Sequence, residues 1–187
     1  MLKIKLYKDL PEELRSKYSK LKRGVFVGEA QEEEDEGIEH EEEYCSEADL
    51  ICYLIAYEDE EIIGGLELFK RRIKHLNQLI ILGGIGSLWV RKDKRRRGLA
   101  TKLLKKVMEE LKIKGCEVVY LCTDIGKLKS LYAQVGFVPL KKNYTFVGRS
   151  GKRYFKDDGM IAFIKPKETL RKIVKSKEPF DIGVGNW

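Results

Sequence analysis

The feature that most constrains this chain is a glycine-interrupted apolar run that passes through a basic turn into an amphipathic helix. Residues 78–90 read as a strand, broken by Gly83, Gly84 and Gly86, where a bulge or splay is expected. Over residues 98–114, Leu99, Ala100, Leu103, Leu104, Val107, Met108 and Leu111 recur at helical spacing, with Lys and Glu opposite and Gly115 as terminator. A buried strand over 117–123 follows. Strand, helix and strand in that order call for a sheet covered by helices. Other segments extend the pattern. Residues 2–7 read as a strand, and 11–25 as a helix opened by an Asp9/Glu12 capping box. Residues 51–57 and 62–73 form a hairpin through Glu58-Asp59-Glu60-Glu61. A short helix over 127–135 ends at Gly136, strands follow at 137–140, 144–147 and 160–164, and a basic helix over 167–175 precedes the tail 180–187. The fold class is α/β with a mixed, mostly antiparallel sheet. No repeat or linker divides the chain, so residues 1–187 are expected to form one domain, with an acidic mobile loop at about 29–48 and a C-terminal helix and tail at about 166–187.

The turn carries the chemistry. It runs Leu88-Trp89-Val90-Arg91-Lys92-Asp93-Lys94-Arg95-Arg96-Arg97-Gly98-Leu99-Ala100-Thr101. A helix start exposes unpaired backbone N–H groups and a partial positive charge, which together hold phosphate. Gly98 and Ala100 are small where the backbone must approach an anion, and Arg95, Arg96 and Arg97 add positive charge at the same mouth. A pyrophosphate suits it. The sequence contains neither a Walker loop nor a dinucleotide-binding glycine fingerprint after a strand. A solvated basic loop in which Gly98 merely starts a helix is the other reading of the same residues.

Charge is unevenly spread. Between Gly24 and Phe69 there are 17 Asp and Glu and no Lys or Arg, so the rest of the chain holds 37 basic against 13 acidic residues. Such a dipolar chain suits one anionic and one cationic reactant better than nucleic acid, for which Arg91 to Arg97 lack interleaved aromatics. Cys52, Cys116 and Cys122 lie in apolar surroundings and read as reduced core thiols; with Cys45, His40 and His75 they make no metal-ligand pattern, so no metal is expected. No secretory signal opens the sequence and no apolar run is long enough for a bilayer, which points to the cytoplasm and away from a membrane.

Val90 followed by Arg95-x-x-Gly98-x-Ala100 resembles the R/Q-x-x-G-x-G/A motif of GNAT acetyltransferases. Downstream, Leu131-Tyr132-Ala133-Gln134-Val135-Gly136-Phe137 resembles that family's Y-x-x-x-G-F element. The resemblance covers about residues 51–164. It implies a GNAT fold with a central strand splay, and acetyl-CoA as co-substrate. Pantetheine would lie along Leu88, Trp89 and Val90, and pyrophosphate on the amides from Arg95 to Thr101, Leu99 included. A backbone N–H near Leu88 to Val90 would stabilise the oxyanion, and Tyr132 would protonate the leaving thiolate.

The C-terminal part is similar to aminoglycoside 2′-N-acetyltransferases and the related nodulation acyltransferases. Val138-Pro139, Tyr144-Thr145-Phe146, Asp157-Asp158-Gly159 and an end at Trp187 carry that likeness. It implies that Thr123, Asp157, Asp158 and Trp187 contact the acceptor, a small cationic amine of aminoglycoside or polyamine type. Asp157-Asp158-Gly159 reads equally as a plain turn. The apolar Phe180, Ile182, Val184 and Trp187 favour a docked tail. One departure matters: where the resembled enzymes place a basic Glu, this chain has Gly86, so proton removal would fall to Glu67, Asp157, Asp158 or the Trp187 carboxylate. The other outcomes are a non-catalytic CoA-binding or regulatory module, and an N-acyltransferase acting on a protein amine or with a longer acyl donor. A homodimer is left open.

Overall fold

The computed structural model describes residues 1–30, 47–164 and 167–187. The acidic loop expected at about 29–48 therefore falls largely outside the described residues. Alternation of Lys with apolar residues makes β1 (Leu2–Tyr7), which pairs antiparallel with β2 (Leu50–Glu58). β2 turns through Asp59 and Glu60 into β3 (Glu61–His75). Both turn residues are left-handed, at φ 48° and 68°, as a two-residue hairpin loop requires. A second such turn, Leu76 and Asn77, leads into β4 (Gln78–Val90). The next strand, β5 (Val118–Cys122), is parallel to β4, so a hairpin cannot join them; α2 (Leu99–Ile113) makes the crossover.

Beyond β5 come α3 (Ile125–Ala133), β6 (Val138–Pro139), β7 (Tyr144–Val147), β8 (Arg153–Lys156) and β9 (Gly159–Phe163), then α4 (Lys167–Lys175) and β10 (Phe180–Val184). The main sheet has seven strands in the order β1-β2-β3-β4-β5-β9-β6, all antiparallel except β4 with β5. A smaller sheet has the order β10-β7-β8. This is the mixed α/β architecture the sequence implies.

Strand alternation sorts the core by face. α2 buries Leu103, Leu104, Val107 and Leu111 against Leu54, Leu66 and Leu68. On the other face α1 (Glu12–Ala30) packs Tyr18 and Val25 on Ile55 and Trp89, and the small sheet packs Phe146, Phe180 and Ile182 on Ile73, Ile80 and Tyr120. Each such buried side chain contributes about 1.5–3 kcal/mol. No helix among the described residues is long and apolar enough to cross a membrane.

Local differences from the sequence reading have physical causes. The Asp9/Glu12 capping box does not form. Asp9 Oδ1 instead accepts from Leu10 N (2.8 Å) and Arg15 Nη2 (2.6 Å), and the first helical bond runs from Arg15 N to Pro11 O (2.8 Å). Pro11 rather than Asp9 is the first helical acceptor, so the helix begins too late for Asp9 to be its cap. β8 and β10 are strands where a loop and a tail were expected. Both are short, and β10 gains its register only from β7, which lies far from it in sequence.

Candidate functional site

β4 and β5 pair only where Leu82, Gly83 and Gly84 meet Val118, Val119 and Tyr120. Beyond Gly84 they part, while β3 stays with β4 as far as Val90. There β4 carries an extra residue: Ser87 and Leu88 stand opposite Leu66 alone, between the pairs Glu67–Gly86 and Gly65–Trp89. Ser87 has φ 49°, a costly conformation for a residue with a side chain, and it marks the bulge. The edge of Leu88, Trp89 and Val90 facing away from β3 pairs with no strand among the described residues. Apart from Val90 O, which accepts from Arg95 Nε, this edge can offer backbone groups to an extended ligand.

The three glycines serve packing as well as the splay. A Cβ on Gly83 would come within 3.1 Å of Leu111 and Cys116, on Gly86 within 2.8 Å of the Phe69 ring, and on Gly84 within 1.8 Å of Trp187 Nε1.

The turn after β4 is pinned by its own charges. Arg91 holds Asp93 (2.7 and 2.9 Å) and Glu61 (2.9 Å), Lys94 pairs with Glu58, and Arg95 Nε donates to Val90 O (3.0 Å). Gly98 is the α2 N-cap at φ 73°, and among the described residues no side chain caps the helix. Lys102 N is the first to bond back, to Gly98 O (3.1 Å). The N–H groups of Leu99, Ala100 and Thr101 are therefore left without helical acceptors. The space where a Gly98 side chain would start is open.

A cavity of about 620 Å³ meets this helix end. It brings together Leu88, Trp89, Val90, Arg95, Arg96, Gly98, Leu99, Ala100, Thr101 and Tyr132. Arg97, expected among them, does not line it. Arg97 stands on the Glu58 side, where Lys94 first and Arg97 more weakly hold the Glu58 carboxyl below its usual range. Lys94 lines the cavity instead. The sequence reading also missed two walls: Val25 and Phe26 of α1, and Leu128, Leu131 and Gln134 in and beside α3. Thr101 Oγ1 donates to Gln134 Oε1 (3.1 Å), tying α2 to the α3 side. Apolar residues at the end of α1 were legible as such, but not what they face.

Tyr132 is 6 % exposed and packs edge-on against Phe137. Burial pushes its phenol up, a Thr123 hydrogen bond opposes that, and Cys122 adds to the rise. The phenol stays protonated, as a proton donor must. Thr123 N also donates to Asp158 O (3.1 Å), so Thr123 connects Tyr132 to the turn between β8 and β9. Asp158 Oδ1 accepts from Tyr144 Oη (2.7 Å), while Asp157 is exposed; neither lines the cavity.

Trp187 is docked and 6 % exposed. Its ring stacks on Phe69 (5.3 Å between centroids, 2° between planes), and the Arg71 guanidinium lies 3.7 Å from the ring centroid. Cys122 Sγ–H donates to the Trp187 main-chain oxygen (3.5 Å). The C-terminal residue thus sits on Gly84 where the strands part, on the face opposite α2. Glu67 is on that face too, 8 % exposed, with Oε1 2.7 Å from Lys22 Nζ.

A family model described as the acetyltransferase (GNAT) family matches residues 8–137. No curated protein matches the sequence. Among solved structures, the chain is similar to YhbS of Escherichia coli, a GNAT-family N-acetyltransferase in complex with CoA. The identity is 15 % over 98 % of this chain and 91 % of that one, with a TM-score of 0.62. ElaA of Escherichia coli is 19 % identical over 87 % of this chain and 99 % of its own, at 0.60. Eis1 of Mycobacterium abscessus is 15 % identical over 76 % of this chain, at 0.54, and the chain spans 33 % of its length. At these identities the likeness is one of fold. Asp157, Asp158 and Trp187 lie beyond the family match, and no comparison bears on the aminoglycoside-type likeness.

Proposed function

The chain belongs to the GNAT acetyltransferase family, and on that premise we propose that it moves an acetyl group from acetyl-CoA to a primary amine of a small cationic acceptor. The observation that carries the proposal is the meeting, in one cavity, of the bulged edge of β4, the uncapped start of α2 and the Tyr132 phenol. The residues fit the donor's parts. Leu88, Trp89 and Val90 offer backbone for the pantetheine amides. Leu99, Ala100 and Thr101 offer N–H donors for pyrophosphate, with Arg95, Arg96 and Lys94 supplying positive charge and Gly98 leaving room.

Transfer then proceeds by direct attack. The neutral amine nitrogen bonds to the thioester carbon, a backbone N–H near Leu88 to Val90 holds the oxyanion, the nitrogen's surplus proton passes to water, and the C–S bond breaks. The departing thiolate takes the Tyr132 proton, and Thr123 orients that phenol. YhbS, a fold relative in complex with CoA, supports the choice of donor. An acceptor of aminoglycoside or polyamine type is supported by the carboxylates of Glu67 and Asp158 on the side away from the arginines, and by the docked Trp187. The test is thiol release from acetyl-CoA over a panel of amines. Turnover with a cationic primary amine is expected; a protein that binds CoA yet acetylates none of them would be a binding module.

A further inference from the structure

Glu67 and Lys22 form an ion pair whose position gives it a second meaning. Glu67 pairs in register with Gly86, so both project to the same face of the sheet. Gly86 supplies no side chain there, and a Cβ would press on the Phe69 ring at 2.8 Å. Beside the bulge, the carboxylate on that face comes from β3. Its side chain is 11 % exposed, and Lys22 reaches it from α1 with 28 % of its own side chain exposed. Lys22 Nζ stands 2.7 Å from Glu67 Oε1, 3.5 Å from Ser87 Oγ and 5.9 Å from the Tyr18 ring centroid. Burial first, and then the Glu67 charge, push the Tyr18 phenol up, so no second anion forms beside the carboxylate near neutral pH. A primary ammonium on an unbranched aliphatic stem is thus held by a carboxylate, a hydroxyl and an aromatic face. It lies one residue from Leu88, where the donor strand edge begins.

Resting on the acetyltransferase reading, we infer that Glu67, Ser87 and Tyr18 form the subsite for the acceptor's second, non-reacting ammonium, and that Lys22 fills this subsite until an acceptor displaces it. The acceptor class follows from the occupant: a linear alkyl diamine, anchored by one terminal ammonium while its other amine reacts, rather than an amine on a sugar ring carbon. Lys22 has 28 % of its side chain exposed and comes from a helix, so it can swing away without unpacking the sheet.

The pair makes opposite predictions for its two members, which a purely structural ion pair does not. Lys22→Met removes the competitor and should lower KM for a linear diamine about two- to fivefold, the usual worth of a partly exposed ion pair. Glu67→Gln removes the anchor and should raise it about tenfold to a hundredfold, the range for a charge-assisted hydrogen bond. CoA affinity, measured alongside, should change little in Lys22→Met, and circular dichroism should show the variant folded at the assay temperature. The assay is thiol release from acetyl-CoA with 1,4-diaminobutane and with glucosamine, and the diamine should be the better substrate. A KM that rises or stays level in Lys22→Met, or a preference for glucosamine, overturns the subsite. A native protein that acetylates no amine overturns the acetyltransferase reading and the subsite with it, a result distinct from turnover insensitive to both substitutions.

Discussion

Tyr132 and Gly84 show how much a single residue can carry here. The Tyr132 phenol is buried at the cavity, and only its proton distinguishes it from a packing ring. Tyr132→Phe keeps the contact with Phe137 and should lower kcat about a hundredfold to ten-thousandfold with CoA affinity unchanged. Steady-state kinetics beside a CoA titration checks this; native kcat in the variant would reduce Tyr132 to packing. Gly84 has the opposite character, acting through what it lacks. With Trp187 Nε1 1.8 Å from the place of a Cβ, Gly84→Ala must push the indole off Phe69. The expected cost is about 1–3 kcal/mol, read as a lower thermal midpoint with a red-shifted tryptophan emission. Gly84 is visible in the sequence as a strand breaker. The indole that requires it lies at the far end of the chain, and no local pattern links the two.

At the scale of elements, legibility followed locality. The strand, basic turn and helix from Gln78 to Ile113 were readable because hydrophobic period, helix-starting glycine and charge lie within one short stretch. The splay was expected from the glycines, but the extra residue at Ser87 and Leu88 emerges only from the register against β3. β8 and β10 escaped notice because their runs are short; the partner of β10, β7, is also far from it in sequence, whereas β8 follows β7 directly as a hairpin. Two cations reach β10: Arg153 Nη1 donates to Asp181 Oδ2 (2.7 Å) on its exposed side, and Arg71 holds its carbonyls from within. Arg71 Nη1 donates to Ile182 O (2.7 Å) and Gly185 O (3.2 Å), while its Nη2 pairs with Asp49 (2.9 Å). Arg71→Met would strand Asp49 and release the carbonyls, at about 3–5 kcal/mol for a broken buried pair. Hydrogen exchange should then quicken across residues 180–187 while the amides of α2 keep their protection. Equal loss of protection in α2 would show that Arg71 supports the whole fold rather than the tail.

The whole molecule holds more tyrosine protons than its unfolded chain does at high pH. Burial pushes up Tyr18, Tyr57, Tyr120, Tyr132 and Tyr144. Above the unfolded value near pH 10 the unfolded state gives up these protons first, so stability is retained below that pH and falls as pH rises through it. Each group contributes a slope of about 1.4 kcal/mol per pH unit, so thermal midpoints should drop steeply between pH 10 and 11. A flat profile there would mean that these rings reach solvent. The charge split also has a global consequence: the arginine-rich mouth at α2 draws an anion, and salt should slow its capture. Whether that anion is the pyrophosphate of CoA is the central question, and calorimetric titration of CoA answers it. The native protein should bind one CoA. Gly98→Glu, which places a carboxylate at the open start of α2, should lose at least about a hundredfold in affinity with unchanged circular dichroism. Gly98→Asn, a residue that tolerates the φ of 73°, should bind better than the Glu variant. No binding by the native protein, or native affinity in a folded Gly98→Glu, would contradict the account.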